Sequence, residues 1–275
     1  GAGREMAGRC VLRWPAKAEK LAKAFWPGPL TLVLPRAKQI PDIVTAGGAT
    51  IGVRWPAYPF IQAVIRECGF PLAAPSANVS NRVSPTSAAH VFGQLGDGIP
   101  LIVDGGQSQV GIESTVLDLT VSPPRILRPG MVHEGALAAV VGEVRSGKGE
   151  GRSEQGEPQV TGTLRSPGQL QKHYAPKAKL LVLRWRNDAE LRSHFALRTS
   201  HFARCHIIAH TRIPGAEGWG GVSVIPHDAE AFARALYAEL HRCDEAGAEW
   251  IVVEAPPDTD EWRAIADRLR RASAR

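Results

Sequence analysis

The stretch from Ala74 to Thr86, APSANVSNRVSPT, concentrates the small polar groups that grip anions. It offers hydroxyls at Ser76, Ser80, Ser84 and Thr86 and amides at Asn78 and Asn81. The segment leaves an expected strand and enters an expected helix, so backbone N–H groups converge with small donors, the arrangement phosphates favour. The same residues suit a plain polar turn in which Ser84 caps the helix that follows, and composition alone leaves both readings open. Arg54 stands inside the apolar run IGVRWP. A guanidinium there either snorkels outward or takes a carboxylate or phosphate bidentately. GIESTVLDL and ILRPG add Ser114, Thr115 and Arg128 at strand ends.

The elements that must carry these groups follow from periodicity and punctuation. KAEKLAKAFW (17–26) repeats apolar positions at helical spacing and stops at Pro27-Gly28-Pro29. LTLVLP (30–35) reads as a buried strand and TIGVRWP (50–56) as a second, followed by an amphipathic helix over 60–69 that ends at Gly69. PLAAPSAN (71–78) and PLIVDGG (100–106) read as strands on either side of a helix at 86–95, and 114–120 with 124–130 as a hairpin-like pair. Residues 141–163 are rich in Gly, Ser and Glu and read as a flexible linker. A second block then alternates. Strands are expected at 180–185, 206–210, 222–226 and 250–256, and helices at 232–247 and 261–272, giving a small α/β domain.

Composition narrows the class. Hydrophobic content of 44% and charged content of 22% over 275 residues are globular values with room for two domains. No apolar run approaches a membrane span, no signal-type h-region follows the first charges, and a cytoplasmic location is expected. The four cysteines form no C-x-x-C pair, which points away from a zinc ribbon or a disulfide framework and towards small buried hydrophobes. Residues 1–140 carry 13 basic against 9 acidic side chains, whereas residues 179–275 carry 14 of each, so a polyanionic ligand belongs to the first part of the chain. His206 and His210 fall on one face of a strand about 13 Å apart, too far to share one ion. No metal site is expected.

Together and in order, PGPLTLVLP, TIGVRWP, APSANVSNRVSPT, DGG, GIESTVLDL and ILRPG resemble the YrdC-like domain, and SPGQLQKHYAP (166–176) resembles the linker of its long form. LYAELHRCDEAGAEWIVVEAP is similar to the extra C-terminal domain of that form. The chain is thereby identified as a member of the YrdC-like threonylcarbamoyl-AMP synthase family. The resemblance implies a twisted mixed-sheet α/β YrdC-like domain over 1–140, a linker with a lid motif over 141–178, and a smaller Rossmann-like domain over 179–275. It implies adenylyl transfer from ATP, bound with Mg2+, to a carbamate formed from L-threonine and bicarbonate, with no protein nucleophile. The product would pass to a separate tRNA threonylcarbamoyl transferase.

By matching position, the resemblance assigns Arg54 to the threonine carboxylate, with Ser114 and the backbone of Ala74 completing that pocket. It assigns Thr50, Ser76, Asn78, Ser84 and Arg128 to ATP, and Tyr174 to a lid over the nucleotide. The family's opening strand–helix–strand with its Lys-x-Arg motif has no counterpart in residues 1–13, and the motifs become recognisable only around Trp14. A chain lacking its opening, with catalysis impaired, is therefore the expectation. A rival from another class is a double-stranded RNA or tRNA binding module, which the nucleotide-closing linker argues against. A carbamoyltransferase of hydrogenase maturation would carry zinc fingers, and no C-x-x-C is present.

Overall fold

The computed structural model describes residues 2–146, 174–196 and 201–274. In chain order its elements begin with helices α1 (Ala2–Arg9) and α2 (Ala16–Phe25), strands β1 (Leu30–Pro35) and β2 (Thr50–Val53), and helices α3 (Pro59–Cys68) and α4 (Ala88–Leu95). Strands β3 (Thr115–Asp118) and β4 (Arg125–Arg128), helix α5 (Glu134–Val141) and the short β5 (Arg145–Ser146) follow. The remainder comprises β6 (Lys179–Leu183), α6 (Asp188–Ala196), β7 (Cys205–Ala209), β8 (Gly221–Val224), α7 (Ala229–Glu245), β9 (Trp250–Glu254) and α8 (Arg263–Ala272). These elements form two compact units, and the chain visits each of them twice. One unit holds residues 1–75 and 113–169, the other 76–112 and 170–275.

The first unit is built on a mixed sheet of order β2-β1-β3-β4-β5. β1 runs antiparallel to β2 and parallel to β3, with Leu32 opposite both Val53 and Leu117. Leu30, Leu32 and Leu34, on one face of β1, join Leu21 of α2 and Leu137 of α5 in one buried cluster, and Val33 on the opposite face is buried as well. Complete burial of Leu21 alone is worth about 1.5–3 kcal/mol. Residues 2–13 belong to this core, since Ala7, Cys10 and Val11 are buried in the same cluster. Helix α1 also lies directly on Trp55, where a Cβ at Gly3 would stand 2.0 Å from the indole.

The second unit has an all-parallel sheet of order β6-β9-β7-β8, the crossover architecture expected of strands alternating with helices. Helix α7 buries Phe232, Leu236, Tyr237 and Leu240 at helical spacing, and Asp228 caps its start by accepting from Ala231 N–H. Helix α8 seats Ile265 and Leu269 in the core, and Arg268, also fully buried, pairs with Asp267. Among the described residues no helix is long and apolar enough to cross a membrane.

Two expected strands are not there. Residues 71–78 and 100–106 are irregular, and Leu72, Leu101 and Val103 are exposed. Among the described residues neither segment has a neighbouring strand to complete a backbone ladder, and β-propensity forms no strand without one. The expected linker over 141–163 falls outside the described residues from 147 onward, as do residues 166–173 of the lid motif.

Candidate functional site

In the first unit Arg54, Ser114 and Arg128 lie at the ends of β2, β3 and β4, whereas Thr50 lies at the other end of β2. The parallel register of β1 with β3 sets Leu30 opposite Thr115, and the Thr115 N–H donates to the Pro29 carbonyl. This places Ser114, one residue earlier, beside Thr31. Their hydroxyls share a 2.8 Å hydrogen bond. Arg128 closes β4 and is only 8% exposed. Its Nε and Nη2 donate to the Ser114 carbonyl at 3.1 and 3.0 Å, and Nη2 also reaches Ser114 Oγ at 3.2 Å. The RPG sequence that follows must approach β3 closely. A Cβ on Gly130 would stand 2.4 Å from Thr115 N, so glycine is the residue that fits. Thr115 Oγ1 then donates to the Val132 carbonyl at 2.9 Å, pinning the chain beyond the turn.

Arg54 follows the last residue of β2. Trp55 fixes its backbone, through the Gly28 N–H donating to the Trp55 carbonyl at 2.9 Å and through the packing of Gly3 on the indole. The guanidinium is exposed and makes no hydrogen bond or ion pair among the described residues. Desolvation by its surroundings, and then the charge of Arg128, lower its pKa. The shift leaves its charge unchanged, because an arginine stays protonated in any case. Arg54 thus presents a guanidinium whose fork can grip a carboxylate bidentately, with Arg128 near enough to act on it electrostatically. Thr50 opens β2 opposite Pro35, and Ala74 lies in the exposed irregular segment.

The second unit holds the SPT turn. Ser84 and Thr86 are buried, Ser76 is exposed, and Asn78 donates through Nδ2 to the Val79 carbonyl at 2.8 Å. Asn78 Oδ1 is buried with no hydrogen-bond partner among the described residues. The helix cap is Ser87, not Ser84: its side chain accepts from His90 N–H, while Ser84 turns its carbonyl to His241 Nε2. Pro85, Thr86, Ser87 and Ala88 line a cavity of about 170 Å³ with Gly105 and Gly106 of the DGG turn. That volume fits a phosphate-sized group, and the free N–H groups of the first turn of α4 favour a negative one.

Tyr174 does not line this cavity. It is 1% exposed, its ring stacks on Tyr237 at 5.9 Å, and the Arg268 guanidinium lies 5.3 Å from its centroid. Its backbone is left-handed at φ 64°, and the next residue, Ala175, donates its N–H to the Asn81 carbonyl. Arg128 likewise serves Ser114 with the bonds described above. Reading the sequence missed Thr31, His90, Gln107 and His241 as parts of these sites. A threonine in the apolar run LTLVLP was the one signal on view; the others depend on which helix the SPT turn meets.

Comparison with known proteins agrees with the motifs. The family model described as "Telomere recombination" matches residues 2–130, and that described as "Threonylcarbamoyl-AMP synthase, C-terminal domain" matches residues 132–274. The first match begins at residue 2 rather than near Trp14, so α1 lies inside it. The chain is 36% identical over 266 residues to the threonylcarbamoyl-AMP synthase of Pyrococcus abyssi, covering 94% of this chain and 74% of that one. It is 38% identical over 263 residues to the Bacillus subtilis protein of the same name, covering 94% of this chain and 73% of the other. A crystal structure of P. abyssi Sua5 complexed with L-threonine superposes with a TM-score of 0.84 at 35% identity, covering 98% of this chain and 77% of that one.

Proposed function

The chain belongs to the threonylcarbamoyl-AMP synthase family, and from that premise we propose that it makes L-threonylcarbamoyladenylate in the cytoplasm for tRNA modification. The threonine amine takes up CO2 from bicarbonate with loss of water. A carbamate oxygen then attacks the α-phosphorus of MgATP, the bond to the β-phosphate oxygen breaks, and pyrophosphate leaves. A separate transferase consumes the adenylate.

The observation that carries this reading is an exposed Arg54, without a hydrogen bond or ion pair among the described residues, near the Arg128 that braces Ser114. Arg54 takes the threonine carboxylate, Ser114 Oγ and the Ala74 backbone meet the rest of the amino acid, and Arg128 acts through Ser114 as a positioning residue. In the second unit Ser76, Asn78 and Ser84 contribute to the ATP side, where the cavity at the start of α4 suits a phosphate, and Thr50 of the first unit is assigned to ATP as well. Phosphoryl-centre displacement asks mainly for alignment and charge neutralisation, which these groups supply without a protein nucleophile. Tyr174 acts as a lid only if its buried ring leaves Tyr237.

Pyrophosphate release tests the proposal. Release that requires ATP, L-threonine and bicarbonate together is the expected result. Release indifferent to threonine would overturn it.

A further inference from the structure

Both walls of the phosphate-sized cavity are tied to one helix of the C-terminal region, α7. The Ser84 carbonyl accepts from His241 Nε2 at 3.1 Å. At the opposite wall Arg234 Nε donates to the Gln109 carbonyl at 2.9 Å. Gly111 lies so close to α7 that a Cβ there would stand 2.4 Å from the Ala233 carbonyl oxygen. The walls are also joined to each other, by Ser108 N–H to the Thr86 carbonyl and by Gln107 Nε2 to Thr86 Oγ1, both at 2.8 Å.

His90 stands at the centre of these ties. Its ring stacks on His241 with centroids 3.9 Å apart and planes 22° from parallel. The Thr86 backbone N–H points at His90 Nδ1 at 3.3 Å, and Thr86 Oγ1 lies 3.2 Å from the same nitrogen. A backbone N–H is only a donor, so Nδ1 must be an acceptor and the ring neutral. Thr86 Oγ1, which already accepts from Gln107, has its own hydrogen left for Nδ1. Adding a proton at Nδ1 sets two donors against each other and puts a cation on the face of a second imidazole.

We propose that His90 and His241 form a proton-sensitive latch through which α7 positions the Pro85–Ala88 turn at the cavity. This rests on the reading of that cavity as part of the ATP site. Closed, the latch holds Thr86 and with it the start of α4; on protonation of His90 the turn is released and the anion cradle loosens. Burial and then the charge of His241 lower the His90 pKa, against the opposing pull of Glu245 on α7. His241 and Glu245 are the charged groups that face it. The closed form therefore predominates above the ordinary histidine range and is lost as pH falls below it.

Amide hydrogen exchange without nucleotide reads the latch directly, and calorimetric titration with AMP reads the cavity. Corrected for intrinsic rates, protection of the Thr86 and Ser108 amides is expected to be lost progressively as pH falls from 7.5 through the lowered His90 value. AMP affinity falls with it. His90→Asn places an oxygen acceptor where Nδ1 stands but does not titrate, so protection should survive across that range. His90→Ala should lose it throughout. Protection in the parent chain that does not change with pH, or the same fall in His90→Asn, would overturn the latch. Protection that depends on pH, without AMP binding anywhere in that range, would leave the latch standing and remove the nucleotide from the cavity.

Discussion

Arg54 and Arg128 lie close enough to repel, and on the proposed reading Arg54 grips the ligand while Arg128 braces Ser114, so replacing each by methionine should separate the two roles. Arg54 is exposed and has no hydrogen bond or ion pair among the described residues. Arg54→Met removes a cation that repels Arg128 and should change stability by no more than about 0.5 kcal/mol. Arg128 is buried and gives three hydrogen bonds to Ser114. Its loss leaves the Ser114 carbonyl without its main donors, at a cost of about 2–4 kcal/mol. For a chain of this size that is a drop in Tm of roughly 4–16 °C. Threonine binding should answer in the opposite sense. A hydrogen-bonded charge is worth about 1.5–3 kcal/mol, so Arg54→Met should weaken L-threonine binding roughly 10- to 150-fold. Thermal unfolding and calorimetric titration with L-threonine, run on both variants, give the four numbers. Equal losses of Tm would show that Arg54 is part of the fold. An unchanged threonine affinity in Arg54→Met would remove it from the site.

Gly130→Ala forces a Cβ to 2.4 Å from Thr115 N and should cost about 1–3 kcal/mol or more, whereas Gly93→Ala, in open space on α4, should gain about 0.5–1 kcal/mol; urea midpoints compare them. Of the four thiols only Cys68 is exposed, while burial pushes Cys205 up to about 11 and Cys243 up to about 12. Iodoacetamide on the folded chain should therefore label Cys68 alone at neutral pH, read by mass spectrometry. Stability should decline on acidification. Burial lowers the pKa of His210, so its contribution is complete above the ordinary histidine value near about 6.5 and is lost as pH falls through the lowered one. At lower pH the carboxylates follow. Burial alone would raise Glu254, but hydrogen bonds from Thr211, His210 and Arg212 hold it below the usual range, so its contribution disappears as it takes up a proton. Denaturant midpoints that stay flat as pH falls from 7 through the histidine range would contradict the first assignment, and midpoints that stay flat well below the ordinary carboxylate range would contradict the second.

Local pattern was enough for much of this protein. The spacing of Ala18, Leu21 and Ala22 makes α2 amphipathic whatever surrounds it, and the apolar run LTLVLP is β1 to the residue. Gly69, in a left-handed conformation, ends α3 where the sequence put it. The order of short motifs was likewise enough to identify the family, because backbone turns and guanidinium forks demand particular residue types at particular places. What neighbours decide was not legible. PLAAPSAN and PLIVDGG have the composition of strands, but a ladder needs a partner and none lies beside them among the described residues. Ser84 and Ser87 are equally good caps by type, and only the start of α4 at Ala88, which lets Ser87 accept from the His90 N–H, separates them. Tyr174 read as an aromatic lid. Its burial between Tyr237 and Arg268, from helices more than sixty residues further along the chain, arises from long-range packing that no local pattern encodes. His90 is the clearest case, since its neutral state depends on the Thr86 N–H and the face of His241 together, and those groups meet only when the chain has folded.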